Sequence, residues 1–299
     1  FYMICIQLNG GLGNQMFQYA LGRALSIKNK SELIFDTSIL DHKVNSKVEI
    51  VRDFELMIFN IDARKATTLE LKKSKPIFHK IINVLFLKLG FKGIATKKYY
   101  IEQKFSYNSK ISRVSKNCFL SGYWQSPLYF QTIEPVIREE FKFPNLLKSS
   151  NIEIAKKIKE TSSVSIHIRR GDFLNSKSHG VHGSCSLDYY KIAISFIVKK
   201  IVEPIFFIFS DDIEWVKQNL NFDSESYYIS GNNAINSYID MQLMSMCKHN
   251  IIANSSFSWW GAWLNPNPNK IVLTPKQWFS DVKLNNQTID LIPEEWVQL

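Results

Sequence analysis

Short apolar runs alternate along the chain with longer segments whose apolar residues recur at helical spacing, and this pattern predicts two successive α/β units. The first opens with the strand-like run Met3-Ile4-Cys5-Ile6-Gln7-Leu8, a helix over about 14–28, and a second strand at Glu32-Leu33-Ile34-Phe35-Asp36. That βαβ order implies a parallel sheet. Helical patterns follow near 66–74 and 76–89, then an extended piece around 98–101, with Cys118-Phe119-Leu120-Ser121-Gly122-Tyr123-Trp124 as the last strand of this half. Residues 127–141 read as a helix and 144–150 as a linker. The second half repeats the alternation, with helices at 151–160, 187–200, 213–220, 237–246 and about 256–264, and strands at 164–168, 205–209, 227–229, 249–253 and 270–273. The expected division is a domain over 1–148 and another over 149–299.

A chain of 299 residues that is 45% hydrophobic is large enough for two cores of about 150 residues each. Its net charge of +10 is concentrated: residues 64–118 hold 14 Lys and Arg against Glu70 and Glu102 alone. The apolar stretch from Ile81 to Phe91 inside this basic segment is broken by Asn83 and Lys88 and is too short to span a bilayer. Peripheral contact of segment 64–118 with an anionic membrane is one reading, a core helix with a solvated basic rim the other. Nucleic acid fits poorly, because the basic run carries no aromatic stacking series and no nucleic-acid-binding motif. Cys5, Cys118, Cys185 and Cys247 are isolated, with no C-x-x-C pair and no zinc spacing, which suits buried thiols in a reducing compartment. The strand pattern begins at once, without a basic, apolar leader. A cytoplasmic protein, if membrane-associated then only peripherally on the inner face, is the expectation.

His167-Ile168-Arg169-Arg170-Gly171-Asp172-Phe173, directly after the strand pattern Val164-Ser165-Ile166, carries the most specific chemistry. Guanidinium forks match phosphate oxygens, and charge-assisted hydrogen bonds of this kind contribute about 1.5–3 kcal/mol each. In open α/β sheets the ligand crevice lies at the carboxyl ends of strands, where this order places the two arginines. They could hold a diphosphate without a metal; a solvated Arg–Asp network would use the same residues. Gly10, Gly11 and Gly13 follow the first strand and permit a tight turn with free N–H groups at a helix N-terminus. Read as a dinucleotide fingerprint the motif fails at Met16, although Asp36 ends the second strand where a ribose-binding acid would stand. A packing turn with Asn14 as a helix cap is compatible with either use.

Three segments, Gly10-Gly11-Leu12-Gly13-Asn14-Gln15-Met16-Phe17-Gln18-Tyr19-Ala20, His167 to Phe173, and Asn254-Ser255-Ser256-Phe257-Ser258-Trp259-Trp260-Gly261-Ala262-Trp263, occur in that order. With them the chain closely resembles the bacterial α-1,2-fucosyltransferases, glycosyltransferase family 11. Phe209-Ser210-Asp211-Asp212 before Trp215 matches the family's SDD-type motif, and the resemblance spans residues 3 to about 265. It implies a GT-B architecture of two Rossmann-like α/β domains, the N-terminal one (1–148) on the acceptor side and the C-terminal one (149–299) binding GDP-fucose, with the active site in the cleft between them. The implied donor is GDP-β-L-fucose, and the implied acceptor a galactose-terminated glycan fucosylated at its 2-hydroxyl with inversion. No cofactor beyond the donor is implied.

Gly11, Gly13, Asn14 and Gln15 would then line the cleft near the sugar, as the same G-x-x-G-N-Q pattern does in the more distant protein O-fucosyltransferases. Metal-dependent glycosyltransferases hold a cation with D-x-D, which is missing here because Asp211 and Asp212 are adjacent. Arg169 and Arg170 replace the metal in a family expected to be metal-independent, and no metal ligand is assigned. His167, on the strand face of Arg169, would bind donor phosphate or ribose, or be a satisfied core histidine. Ser210 and Asp211 fall on the donor side. Asp240, in a helical stretch one strand earlier than the tryptophan motif, could accept the N1 and N2 donors of guanine. Asn254, Ser255 and Ser256 open the next helix, where hydroxyls and N–H groups can bind phosphate. Trp259, Trp260 and Trp263 read as core anchors of that helix. Asp172 is the candidate general base by proximity to the arginines. It could equally orient Arg170, and a dissociative path needs no strong base. A transferase for another GDP-deoxysugar or acceptor position, and a non-catalytic nucleotide-sugar-binding protein, stay open on the residues alone.

Overall fold

The computed structural model describes residues 2–41, 53–74, 99–146, 148–170, 183–232 and 234–299. They form two compact units. The first takes the described residues up to Lys142 together with Ile289–Leu291, and the second those of Phe143–Thr288 and Ile292–Leu299. The expected helix over 76–89 lies outside the described residues, as do Gly171 and Asp172.

The first unit is a parallel sheet of β1 (Met3–Gln7), β2 (Glu32–Asp36), β3 (Arg64–Lys65), β4 (Tyr99–Ile101) and β5 (Cys118–Ser121), in the order β3-β2-β1-β5-β4. Strands are added outward from β1 on one side, and β5 returns to its other side, so the strand order reverses between β1 and β5. Helix Leu12–Asn29 packs its buried face, including Met16, Phe17, Ala20 and Leu21, against this sheet. Two late contacts complete the unit: the Asp290 carboxylate accepts the Tyr107 N–H at 3.0 Å, and its carbonyl accepts the Ser126 hydroxyl at 2.9 Å.

The second unit is a six-stranded parallel sheet of β6 (Ser162–Ile168), β7 (Pro204–Ser210), β8 (Ser226–Ile229), β9 (His249–Ile251), β10 (Val272–Thr274) and β11 (Val297–Gln298), ordered β11-β10-β9-β6-β7-β8. Here the reversal falls between β6 and β9. Alternation along β6 divides its residues between the two faces. Val164, Ile166 and Ile168 join Tyr190, Ala193 and Ile197 of helix Leu187–Lys200. Ser163, Ser165 and His167 take the opposite face, where the Asn250 amide donates to Ser165 Oγ (2.7 Å) and to the Met244 carbonyl (2.8 Å). The chain is thus built of two Rossmann-like α/β units. No helix among the described residues is long and apolar enough to cross a membrane.

One expected element is corrected. The single helix over 127–141 is two 3-10 turns, Pro127–Tyr129 and Gln131–Ile133, followed by helix Glu134–Glu140. Pro135 has no N–H to give, which is harmless only at the start of a helix, where that N–H would have no intrahelical partner. It is therefore tolerated only in the first turn of a new helix, and Phe130 (ψ 9°) and Ile133 (ψ 23°) break the run ahead of it.

Candidate functional site

The reversal of strand order between β6 and β9 is where an open α/β sheet leaves a crevice at its carboxyl edge. Arg169 and Arg170 leave β6 at this edge and diverge. On the β9 side, Arg169 Nη1 lies 3.5 Å from Ser255 Oγ. Ser255 caps helix Ser256–Leu264, its hydroxyl accepting the Phe257 N–H at 3.3 Å. Arg169 therefore shares a corner with a helix N-terminus, where unpaired N–H groups and the helix dipole both favour an anion. On the β7 side, the Arg170 guanidinium lies over the Trp215 ring, 3.6 Å from its centroid, and 3.8 Å from Asp212. The Arg170 N–H is held by Asp211 Oδ1 at 2.9 Å.

The SDD motif builds this second corner. Ser210 Oγ accepts the Asp212 N–H, and Asp212 in turn caps helix Ile213–Asn219 by accepting the Trp215 N–H at 3.1 Å. Asp211 and Asp212 thus position Arg170 and its stacking partner. Among the described residues no group of three His, Cys, Asp or Glu side chains gathers at metal-ligand spacing.

His167 is 8% exposed, and burial together with the neighbouring Arg169 charge pushes its pKa down to about 3. The imidazole is neutral at any working pH. Its ring sits 5.9 Å from Phe257, and its Nδ1 is buried with no hydrogen-bond partner among the described residues. A core histidine whose role is only packing would have that nitrogen matched. An open Nδ1 beside Arg169 suits contact with a ligand.

Asp240 stands in the first turn of helix Tyr238–Met246 and accepts the Asn232 amide at 2.8 Å. Asn232 is itself locked in a reciprocal amide pair with Asn151 of helix Ser149–Glu160. Burial raises the Asp240 carboxyl to about 6, against the lowering effect of Asn232. Neither asparagine stands out in sequence, because the pairing joins positions 81 apart.

Two of the expected donor ligands are occupied by the fold. The Asn254 amide donates to the carbonyls of Gly183 (2.9 Å) and Trp278 (3.0 Å), while its oxygen accepts from Cys185 Sγ. Asn254→Ala leaves both carbonyls without this donor, and at about 1–3 kcal/mol for a stranded buried group the variant should lose roughly 3 kcal/mol in urea denaturation. Gln15 is fully buried; it donates to the carbonyls of Gly10 and Asp53 and accepts the Glu55 N–H. It and Gln18, which bridges Asn9 and Gly122, set the loop geometry around helix Leu12–Asn29. Asn14 accepts the Gln125 amide at 2.8 Å. Gly11 is the N-cap of this helix and Gly13 lies in its first turn. Before them, Gly10 has φ +71°, and a Cβ there would lie 2.3 Å from Asn14 Nδ2. Gly11, Gly13, Asn14 and Gln15 belong to the first unit; the other described site residues belong to the second. Trp259, Trp260 and Trp263 are buried core anchors, as the sequence suggested, with Trp259 stacked on Trp263 and Trp260 edge-on to both.

The family model for glycosyl transferase family 11 matches residues 3–299. An Escherichia coli alpha-1,2-colitosyltransferase is 37% identical over 99% of both chains. The chain belongs to glycosyl transferase family 11. This family 11 chain is also 36% identical to the Escherichia coli O-antigen biosynthesis glycosyltransferase WbnK, over 98% of this chain and 99% of that one. Galactoside alpha-(1,2)-fucosyltransferase 1 of Leontocebus fuscicollis is 26% identical over 48% of this chain and 42% of its own length.

Proposed function

We propose that this transferase moves L-fucose from GDP-β-L-fucose to the 2-hydroxyl of a terminal β-galactose, with inversion and without a metal. The observation that carries the reading is the corner of Arg169, Ser255 and the opening of helix Ser256–Leu264 at the strand-order reversal. As the bond from C1 to the β-phosphate oxygen breaks, negative charge grows on the diphosphate; Arg169 and the helix N–H groups are the preorganised donors for it. Arg170, laid on Trp215, adds a second positive charge. His167, neutral, is the hydrogen-bonding contact to phosphate or ribose. Asp240 accepts from the guanine edge. The sugar C1 bonds to the acceptor oxygen, and that hydroxyl's proton leaves to Asp172 or, on a dissociative path, late to solvent.

The α-1,2 linkage is supported by the names of two relatives, one colitosyl and one galactoside fucosyl. The full-length likeness to the colitosyltransferase favours a second reading, GDP-colitose as donor, because colitose differs from fucose only in lacking the 3-hydroxyl. GDP release should therefore be measured with GDP-fucose and GDP-colitose, in EDTA, against galactose-terminated acceptors, with linkage analysis of product. Acceptor-dependent release from GDP-fucose with an α-1,2 product is the expected result. Turnover of GDP-colitose alone would move the reading to the second donor. Loss of activity in EDTA with rescue by Mn²⁺ would overturn the arginine-for-metal argument.

A further inference from the structure

A cavity of about 390 Å³ lies wholly within the first unit, beyond the carboxyl ends of β4 and β5. Its walls include Glu102, Lys104, Tyr107, Asn108, Trp124 and Tyr129. Three of these rings form one aromatic wall: Tyr107 meets Tyr129 edge-on at 4.9 Å between centroids, and Trp124 meets Tyr129 edge-on at 5.8 Å.

The wall is held in a costly backbone shape. Trp124 adopts φ +57°, a left-handed conformation that costs about 1–3 kcal/mol for a residue with a side chain. Glu102 fixes it by accepting the N–H groups of both Tyr123 (2.7 Å) and Trp124 (2.9 Å). The approach depends on Gly122, φ +159°, because a Cβ there would lie 2.4 Å from Glu102 Cβ and 2.9 Å from Trp124 Cε2. Strain of this kind persists where surrounding structure enforces it, and it gathers at ligand sites. Trp124 is 1% exposed, yet its indole Nε1–H finds no acceptor among the described residues. A buried indole N–H ordinarily has a partner.

These features select a ligand class. Ring faces suit the C–H face of a pyranose, and the buried N–H with the polar rim suits hydroxyls, which both donate and accept. A phosphate is poorly served, since Lys104 is the one cation among the lining residues and Glu102 lines the same space. We infer that this cavity is a saccharide subsite holding a neutral pyranose of the acceptor glycan, with Tyr107 and Trp124 as its walls and Trp124 Nε1–H donating to a sugar hydroxyl. The inference rests on the reading of the chain as a transferase with a glycan acceptor.

The test uses the full chain, wild type and with Tyr107→Ala or Trp124→Phe, the latter keeping an aromatic ring while removing the N–H. The probes are lactose and N-acetyllactosamine, with saturation-transfer NMR for binding and GDP release for turnover. The expected result is saturation transfer to the sugar from the wild type that falls at least threefold in each variant, and a ratio of acceptor KM to donor KM that rises at least tenfold. Wild-type transfer with saturation transfer and KM ratio within twofold in both variants overturns the subsite while leaving the proposed reaction intact. Saturation transfer that is lost in the variants, with no wild-type turnover of either donor, supports the subsite and removes the proposed reaction.

Discussion

Arg169→Ala should lower kcat/KM for the donor by at least about 10²-fold, the scale on which a single preorganised donor to a developing negative charge acts. Arg169 shares its corner with Ser255 and the start of a nine-residue helix, so truncation removes a full charge at the point where the leaving phosphate gains one. Arg169→Lys keeps the charge but loses the planar fork, and should recover only part of the rate. Arg170→Ala is the internal comparison. Its guanidinium is stacked on Trp215 and lies near Asp212, so its field at the phosphate is already shared with an acid. A smaller loss than for Arg169→Ala is expected. Steady-state kinetics with GDP-fucose decide it, and near-wild-type rates in both alanine variants would remove the phosphate clamp.

Asp240→Asn should weaken GDP binding by about 10–10²-fold in calorimetry, because a charged hydrogen bond contributes roughly 1.5–3 kcal/mol and the guanine edge offers two donors. The comparison that isolates the contact is inosine diphosphate, which lacks the N2 amine. It should bind the wild type more weakly than GDP, and the gap should close in the variant. The pH dependence has a definite sign. The carboxylate is the accepting form, and burial raises the Asp240 pKa to about 6. GDP affinity should be full above that value and fall as pH drops through it. The terminal phosphate of GDP also protonates at about pH 6, so the part of the limb that belongs to Asp240 is the wild-type profile minus that of Asp240→Asn, and it should be non-zero. His167 contributes nothing in this window, since it is neutral until about pH 3.

Much of this was readable from the residues because it depends on neighbours in sequence. The arginine pair follows its own strand, and Ser255 and Asp212 each cap the helix that begins at the next residue. What escaped depends on partners far away. Glu102 sits between Ile101 and Gln103 with nothing to mark it, and its role comes from two N–H groups about 20 positions later. The use of Asn254 and Gln15 was hidden for the same reason. An amide in a motif reads as a ligand, and only the positions of Gly183, Trp278, Asp53 and Glu55 reveal that the fold occupies both. The edge strands β3 and β11, two residues each, are too short to leave a periodic signal. Of the four cysteines read as buried thiols, Cys5, Cys118 and Cys247 are buried and Cys185 is half-buried.

Asp290 gives the first unit a dependence on the order of synthesis. The hydroxyl of Ser126 and the amide of Tyr107 are matched by a residue 164 and 183 positions further along the chain. At ordinary elongation rates the ribosome needs roughly 10–30 s to cover that span. During that interval the nascent first unit has its parallel strands but not its clasp, and the wall bearing Tyr107 is anchored only after nearly all of the second unit has been translated.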